Sequence, residues 1–445
     1  MIRNLSGHGS GLMLILLLAG CTDSWLGEAE PPPLPGERIP VLAFDQKLQA
    51  DASLVGQPMQ LPAAVTNTSW LSAGGNPTHG GGAFELAGQP RDVWQTDIGE
   101  GVDDARPLLS VPVVQGDQVF ALDTEGLLSA VNLTSGKAMW QRHAAPRELR
   151  HKADGGGLAL SGDGLVIASL GYGEMVAFAV TDGKELWRTP TRSPLRSAPT
   201  VANGQAYVVT IDNQLLAFDA RTGRLLWSHA GLMEAAGLLG APSPAVSGDV
   251  VLVAYSSGEL YALRTLNGGE LWSDNLTATR REGGVLTLAA IRGLPVLAAG
   301  GAAAIAVSNS GRLVAIDNRS GQRVWEQRLS SQQTPWVAGD SLFVVTTDAE
   351  LVALTLREGK PRWVQQLAQW ENAKDKRGVI SWYGPVLAGD RLWLTNSEGE
   401  MLSFDPHSGQ ALERQDLGTP IKRPPIVANN TLLVLNDNGR LLAWR

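Results

Sequence analysis

An all-β fold, an eight-bladed propeller of four-stranded antiparallel blades, is what this 445-residue sequence predicts. Three observations lead there. An eleven-residue phrase, Ala-x-Asp-like-x-x-x-Gly-x-x-x-Trp, recurs along the chain. Each copy sits among short apolar runs separated by turn dipeptides. The last copy is cut off, and a strand that fits the missing piece lies near residue 92.

The clearest copy runs Ala217-Phe218-Asp219 through Gly223 to Trp227. Others place Ala, Gly and Trp at 130, 136 and 140, at 177, 183 and 187, and at 262, 268 and 272. Two more stand at 315, 321 and 325 and at 353, 359 and 363. A seventh decays to Ser403, Asp405, Gly409 and Glu413. Upstream of each copy come an apolar strand near a proline, a turn such as Asn203-Gly204, and a β-rich run such as Tyr207-Val208-Val209. These read as consecutive hairpins. With the phrase supplying strands three and four, each repeat of roughly 45 residues is one blade.

The phrase has a local physical logic. Small Ala lets neighbouring sheets approach. Asp and Thr bond backbone NH groups of the turn, and Gly takes its positive φ. Trp lies between blades, where burying 150–250 Å² contributes about 4–6 kcal/mol gross. Its role is packing before ligand stacking.

Ala443 opens an eighth phrase that stops at Arg445 in strand three. Asp92-Val93-Trp94-Gln95-Thr96-Asp97 resembles the strand-four run Leu186-Trp187-Arg188-Thr189. The N-terminal strand is therefore expected to close the last blade and leave no open edge. The ring is expected over residues 91–445, preceded by a lead-in segment at 67–90 packed on it.

The start of the chain reads as a lipoprotein signal over residues 1–20. Arg3 precedes the apolar run Leu12–Ala19, and Leu18-Ala19-Gly20-Cys21 is a lipobox-like ending before the single cysteine of the sequence. The run is short for a membrane span, so the expectation is an acylated Cys21 as lipid anchor. Thr22 follows it, which points to the outer membrane, facing the periplasm. Residues 21–66, with Glu28-Ala29-Glu30-Pro31-Pro32-Pro33, read as an extended linker.

Chemistry is sparse. None of the six His pairs with a second ligand at metal spacing. No phosphate loop or G-x-S-x-G motif occurs. A net charge of −8 without a basic stripe argues against nucleic-acid binding. No catalytic residue, metal or cofactor is expected.

The repeated phrase resembles the blade motif of quinoprotein (pyrroloquinoline-quinone, PQQ) dehydrogenases. That likeness implies the fold, and it raises a periplasmic quinone oxidoreductase as an alternative, beside a small-ligand-binding propeller. The vicinal cysteines of those enzymes have no counterpart here. Lipobox plus eight blades resembles more closely the BamB family of lipoproteins of the outer-membrane β-barrel assembly machinery. This likeness implies a non-enzymatic scaffold. It would bind the periplasmic domains of the central barrel subunit, BamA, as one monomer in a hetero-complex, and could meet unfolded outer-membrane proteins. It also implies partner contacts at Leu195 and Arg196, in Ser193-Pro194-Leu195-Arg196-Ser197-Ala198-Pro199. An exposed Leu beside an Arg suits an interface anchor. The family's acidic residues in the next loop are absent from Leu238–Pro244.

Three long connections follow a strand-four Trp and should emerge on one face. They are Arg142–Gly157 with Arg147, Arg150, His151 and Lys152; Thr277–Pro295 with Arg280 and Arg281; and Gln365–Pro385. The third carries Trp370, Lys374, Lys376, Arg377, Trp382 and Tyr383. A basic, aromatic face would suit an acidic partner or an extended polypeptide.

Overall fold

Eight sheets follow one another around a ring, each with its first strand innermost. The computed structural model describes residues 48–445 apart from 108, 154, 234–239, 278–280, 283, 284 and 287–289. The signal segment, Cys21 and the polyproline run lie outside the described residues. Blade 3 is representative: Thr200–Ala202, Gln205–Val209, Gln214–Asp219 and Leu225–Ala230 pair in that order. Its second strand is almost wholly buried, whereas its outer strand is largely exposed. Inner strands are covered on both faces by neighbouring blades, so they read as continuous apolar runs. The eighth sheet joins Ile426–Ala428, Thr431–Leu435 and Arg440–Trp444 to Asp92–Asp97. Trp94 sits opposite Ala443 as Trp227 sits opposite Ala217. The N-terminal strand therefore closes the ring in the register that the repeat dictates.

Tertiary contact explains the phrase better than the turn alone does. Each docking indole donates its N–H to the backbone carbonyl of the fourth phrase residue in the next blade, at 2.7–3.0 Å. The pairs are Trp94 to Leu133, Trp140 to Val180, Trp187 to Ala220, Trp227 to Thr265, Trp272 to Asn318, Trp325 to Leu356 and Trp363 to Pro406. The phrase glycine lies against the same indole. A Cβ at Gly223, where φ is +71°, would come within 2.4 Å of the Trp187 ring. Glycine is thus required twice, by backbone conformation and by the ring packed on it. Asp219 completes the turn by accepting from the Thr222 N–H at 2.8 Å and its hydroxyl at 2.8 Å.

The lead-in segment does more than lie on the ring. Trp70 pairs with Val114 of blade 1, and the Leu71 carbonyl accepts from Leu160 of blade 2 at 2.8 Å. Pro77 and Thr78 carbonyls accept from Val246 and Leu297 of blades 4 and 5, at 2.6 and 2.9 Å. Gly82 accepts from the Trp336 indole of blade 6 at 2.9 Å. Phe84 N–H donates to Leu387 of blade 7 at 3.1 Å, and the Asn67 amide to Val427 of blade 8 at 2.8 Å. Taken in residue order from Asn67 to Phe84, these partners lie in blades 8, 1, 2, 4, 5, 6 and 7, so the segment runs round the axis. Trp70 stacks on Trp336 at 6.2 Å, with Phe84 edge-on to both. The chain also docks earlier than a linker ending at 66 would. Asp51 N–H donates to Pro361 at 2.8 Å, and Gln60 N–H to the Asp340 carboxylate at 3.1 Å.

Three outcomes test this architecture. A chain beginning at residue 101 lacks the closing strand and the axial segment, and should lose its single cooperative unfolding transition; a melt matching the longer chain would disprove the closure. Gly223→Ala should cost on the order of 2–4 kcal/mol in urea unfolding, from the positive φ and the crowded indole. His79 gives the third. It is buried, with Nδ1 2.8 Å from the Pro295 carbonyl, and burial holds its imidazole down at about 4. An unfolded chain titrates it near 6.5, so between those values the unfolded state binds more protons. Stability is then full above about pH 6.5 and falls as the pH drops toward 4. His79→Asn keeps a donor and tolerates the local φ of +56°. It should remove about 2–3 kcal/mol of that loss between pH 7 and 4.5, and an unchanged pH slope would refute the assignment.

Candidate protein-interaction face

Strand order fixes which face carries the long loops. In a four-stranded antiparallel blade the connection to the next blade emerges beside the turn between strands two and three. The phrase turns emerge at the opposite end. The lead-in segment bonds the far ends of the first strands, so it lies at the end of the axis away from the loops. Of the long connections, 143–157 holds the short 3₁₀ helix Arg147–Lys152, and 366–382 holds a hairpin of Trp370–Asn372 with Arg377–Val379. Lys374, Lys376 and Arg377 of that hairpin are exposed. Trp382 and Tyr383 are not loop residues. They begin the first strand of blade 7, where Trp382 is buried and its indole bonds the Ala368 carbonyl at 2.7 Å. Arg280 lies outside the described residues.

The expectation of an exposed Leu195 is overturned. Leu195 is fully buried between blades 2 and 3, beside Ile167, Met175 and Val208, and forms a bridge with Thr210. Its apolar side chain fills a gap left where the loop turns into the ring. Arg196, the next residue, is half-buried, and its carbonyl accepts from the Ala241 N–H of the following loop at 3.0 Å. Arg196 therefore sits where two adjacent blade connections meet.

The exposed apolar groups around it are others. Ile211 is 54% exposed, and its N–H donates to the Pro194 carbonyl at 2.9 Å. Leu232 and Met233 are 63% and 77% exposed at the start of the next connection. These three, with exposed Arg192, make an apolar and cationic surface that residue types alone did not single out. Ile211 follows a strand and Leu232 follows a phrase, so each reads as core until the strand ends are known.

The loop is held from beneath by a polar aromatic cluster. The Glu259 carboxylate accepts from the Leu232 N–H at 2.7 Å, the Ser257 hydroxyl at 2.8 Å and the Tyr261 hydroxyl at 2.8 Å. Asn213 donates to the Leu232 carbonyl at 2.6 Å. His229 stacks on Tyr255, with Nδ1 2.9 Å from its hydroxyl. Burial pushes the imidazole below its ordinary value and the Tyr255 hydroxyl well above its own. The neutral forms of both are favoured, which suits a fixed support better than proton transfer.

Among the described residues no three His, Cys, Asp or Glu gather as a metal site. Ring, lead-in segment and loop face define the class: an eight-bladed β-propeller of antiparallel blades. The family model described as outer membrane protein assembly factor BamB matches residues 124–365, more than half of the chain. A model described as the β-propeller domain of glucose/ethanol/alcohol dehydrogenase matches residues 325–416. Outer membrane protein assembly factor BamB of Burkholderia pseudomallei is 29% identical over 358 residues, covering 80% of this chain and 88% of that protein. The Yersinia pestis counterpart is 26% identical over 373 residues, with the same coverage. The crystal structure of BamB from Moraxella catarrhalis shares the fold at a TM-score of 0.66 and 19% identity, covering 80% of this chain and 100% of that one. A europium-containing methanol dehydrogenase shares it at 0.65 and 15%, covering 82% and 89%. The chain belongs to the BamB family of outer membrane protein assembly factors.

Proposed function

We propose that this propeller is a non-enzymatic scaffold for outer-membrane protein assembly, tethered by an acylated Cys21 to the periplasmic face of the outer membrane. Its loop face docks on the periplasmic domains of a BamA-like central barrel subunit, and unfolded barrel proteins are a second class of partner. The observation that carries this reading is the exposed set Ile211, Leu232 and Met233 around Arg196, on the face opposite the axial segment. An apolar centre with an arginine beside it is the composition of an interface hot spot. Leu195 acts from within: its burial sets the backbone that presents Arg196.

The proposal separates two kinds of variant. Arg196→Ala combined with Met233→Glu should leave melting unchanged and reduce copurification with the barrel subunit from solubilised outer membrane at least fivefold. Leu195→Ala should instead lose roughly 2–5 kcal/mol of stability through the cavity it leaves. Unchanged copurification in the folded double variant would move the interface elsewhere on the molecule.

A further inference from the structure

Seven blade junctions carry the indole bond, and the eighth does not. Between blades 7 and 8 the docking position holds Glu413, which stands opposite Ser403 as each Trp stands opposite Ala. Two residues further on, Thr189 of blade 2 donates its hydroxyl to the Gly223 carbonyl of blade 3 at 2.8 Å, and Thr96 bonds Gly136 in the same way. At the seam that place is taken by Gln415, whose Oε1 is sheltered from solvent with no hydrogen-bond partner. The receiving side differs as well. Blade 8 has no phrase turn, because its third and fourth strands come from opposite ends of the chain. Arg91 and Arg445 instead continue the ladder through N–H···O bonds of 2.7 and 3.0 Å.

The result is a cleft of about 520 Å³ at the outer rim. Blade 7 lines it with Arg391, Leu412, Glu413 and Gln415, and the closing strand with Arg91 and Asp92. Its size is within the ~300–1,000 Å³ of small-ligand sites. Arg391 is bound to Glu413 at 3.0 Å, and Leu412 is 50% exposed. The lining thus offers guanidinium groups for an aromatic face, the Leu412 side chain, and acceptors in Glu413 and Gln415 for a ring N–H.

We propose that this seam cleft binds a tryptophan side chain presented by an extended partner polypeptide, which supplies in trans the indole that the other seven junctions hold in cis. The occupant follows from the chain's own repeat: the same strand position carries an indole in every other blade, and where blade 8 lacks the phrase turn, Glu413 and Gln415 offer the acceptors instead. Glu413 is held by Arg391 of its own blade and Gln415 Oε1 has no partner, so neither substitutes for the missing indole bond.

The test uses a short extended peptide carrying 5-fluorotryptophan, followed by ¹⁹F NMR line broadening against the folded protein, with N-acetyltryptophanamide as competitor. Broadening that the competitor reverses is expected. Glu413→Trp should fill the cleft from within, raise the melting temperature and raise the peptide's dissociation constant at least tenfold. Gln415→Leu, which leaves the ring closure untouched, should raise that constant at least threefold without changing melting, and decides the matter if Glu413→Trp does not fold. No broadening at millimolar peptide, or equal binding by a folded Glu413→Trp protein, would overturn the proposal.

Discussion

The contact between one blade's tryptophan and the next blade's phrase turn governs this molecule. It joins three demands at one place. The indole must bury its apolar face, its N–H must find an acceptor, and the glycine opposite must have no side chain. Each is met by a residue of a different blade, so no blade can satisfy its own phrase. Stability is therefore a property of junctions, as in other repeat proteins where each unit contacts only its neighbours. Closing such an array into a ring removes its free ends, and the strand Asp92–Asp97 does this by entering the eighth sheet with its Trp94 already in the docking register.

The axis imposes a second constraint. Innermost strands of eight blades cannot meet at a point, so a propeller has a central space to fill or to use. Here residues 67–84 run round it at one end, with Trp70 and Phe84 packed on Trp336. The same segment bonds strands of seven blades, through backbone and side chains, so it ties together elements that the ring itself connects only pairwise. The loop face at the other end is left free of this task and can vary in length and composition.

Much of the candidate surface was hidden in the sequence. Leu195 matches a family pair whose Leu would be an exposed anchor, yet its side chain is swallowed by the junction between blades 2 and 3. Ile211, Leu232 and Met233 carry the exposed apolar area instead. Nothing in their spacing reveals this, since an apolar residue just past a strand end looks the same whether it turns inward or outward. Trp382 misleads in the opposite way: it looks like part of a long aromatic loop and proves to be the first buried residue of a strand.

Blade count, strand order within each blade and closure by an N-terminal strand are all legible in the residue pattern. They are legible because those features repeat, and a repeated pattern states its register many times over. What happens once is set by contacts in three dimensions. The course of residues 67–84 round the axis, the direction in which Leu195 and Ile211 point, and the cleft beside Glu413 each depend on contacts between distant parts of the chain. Such contacts are set by which surfaces remain uncovered after the ring has closed, and no local pattern of residues encodes that.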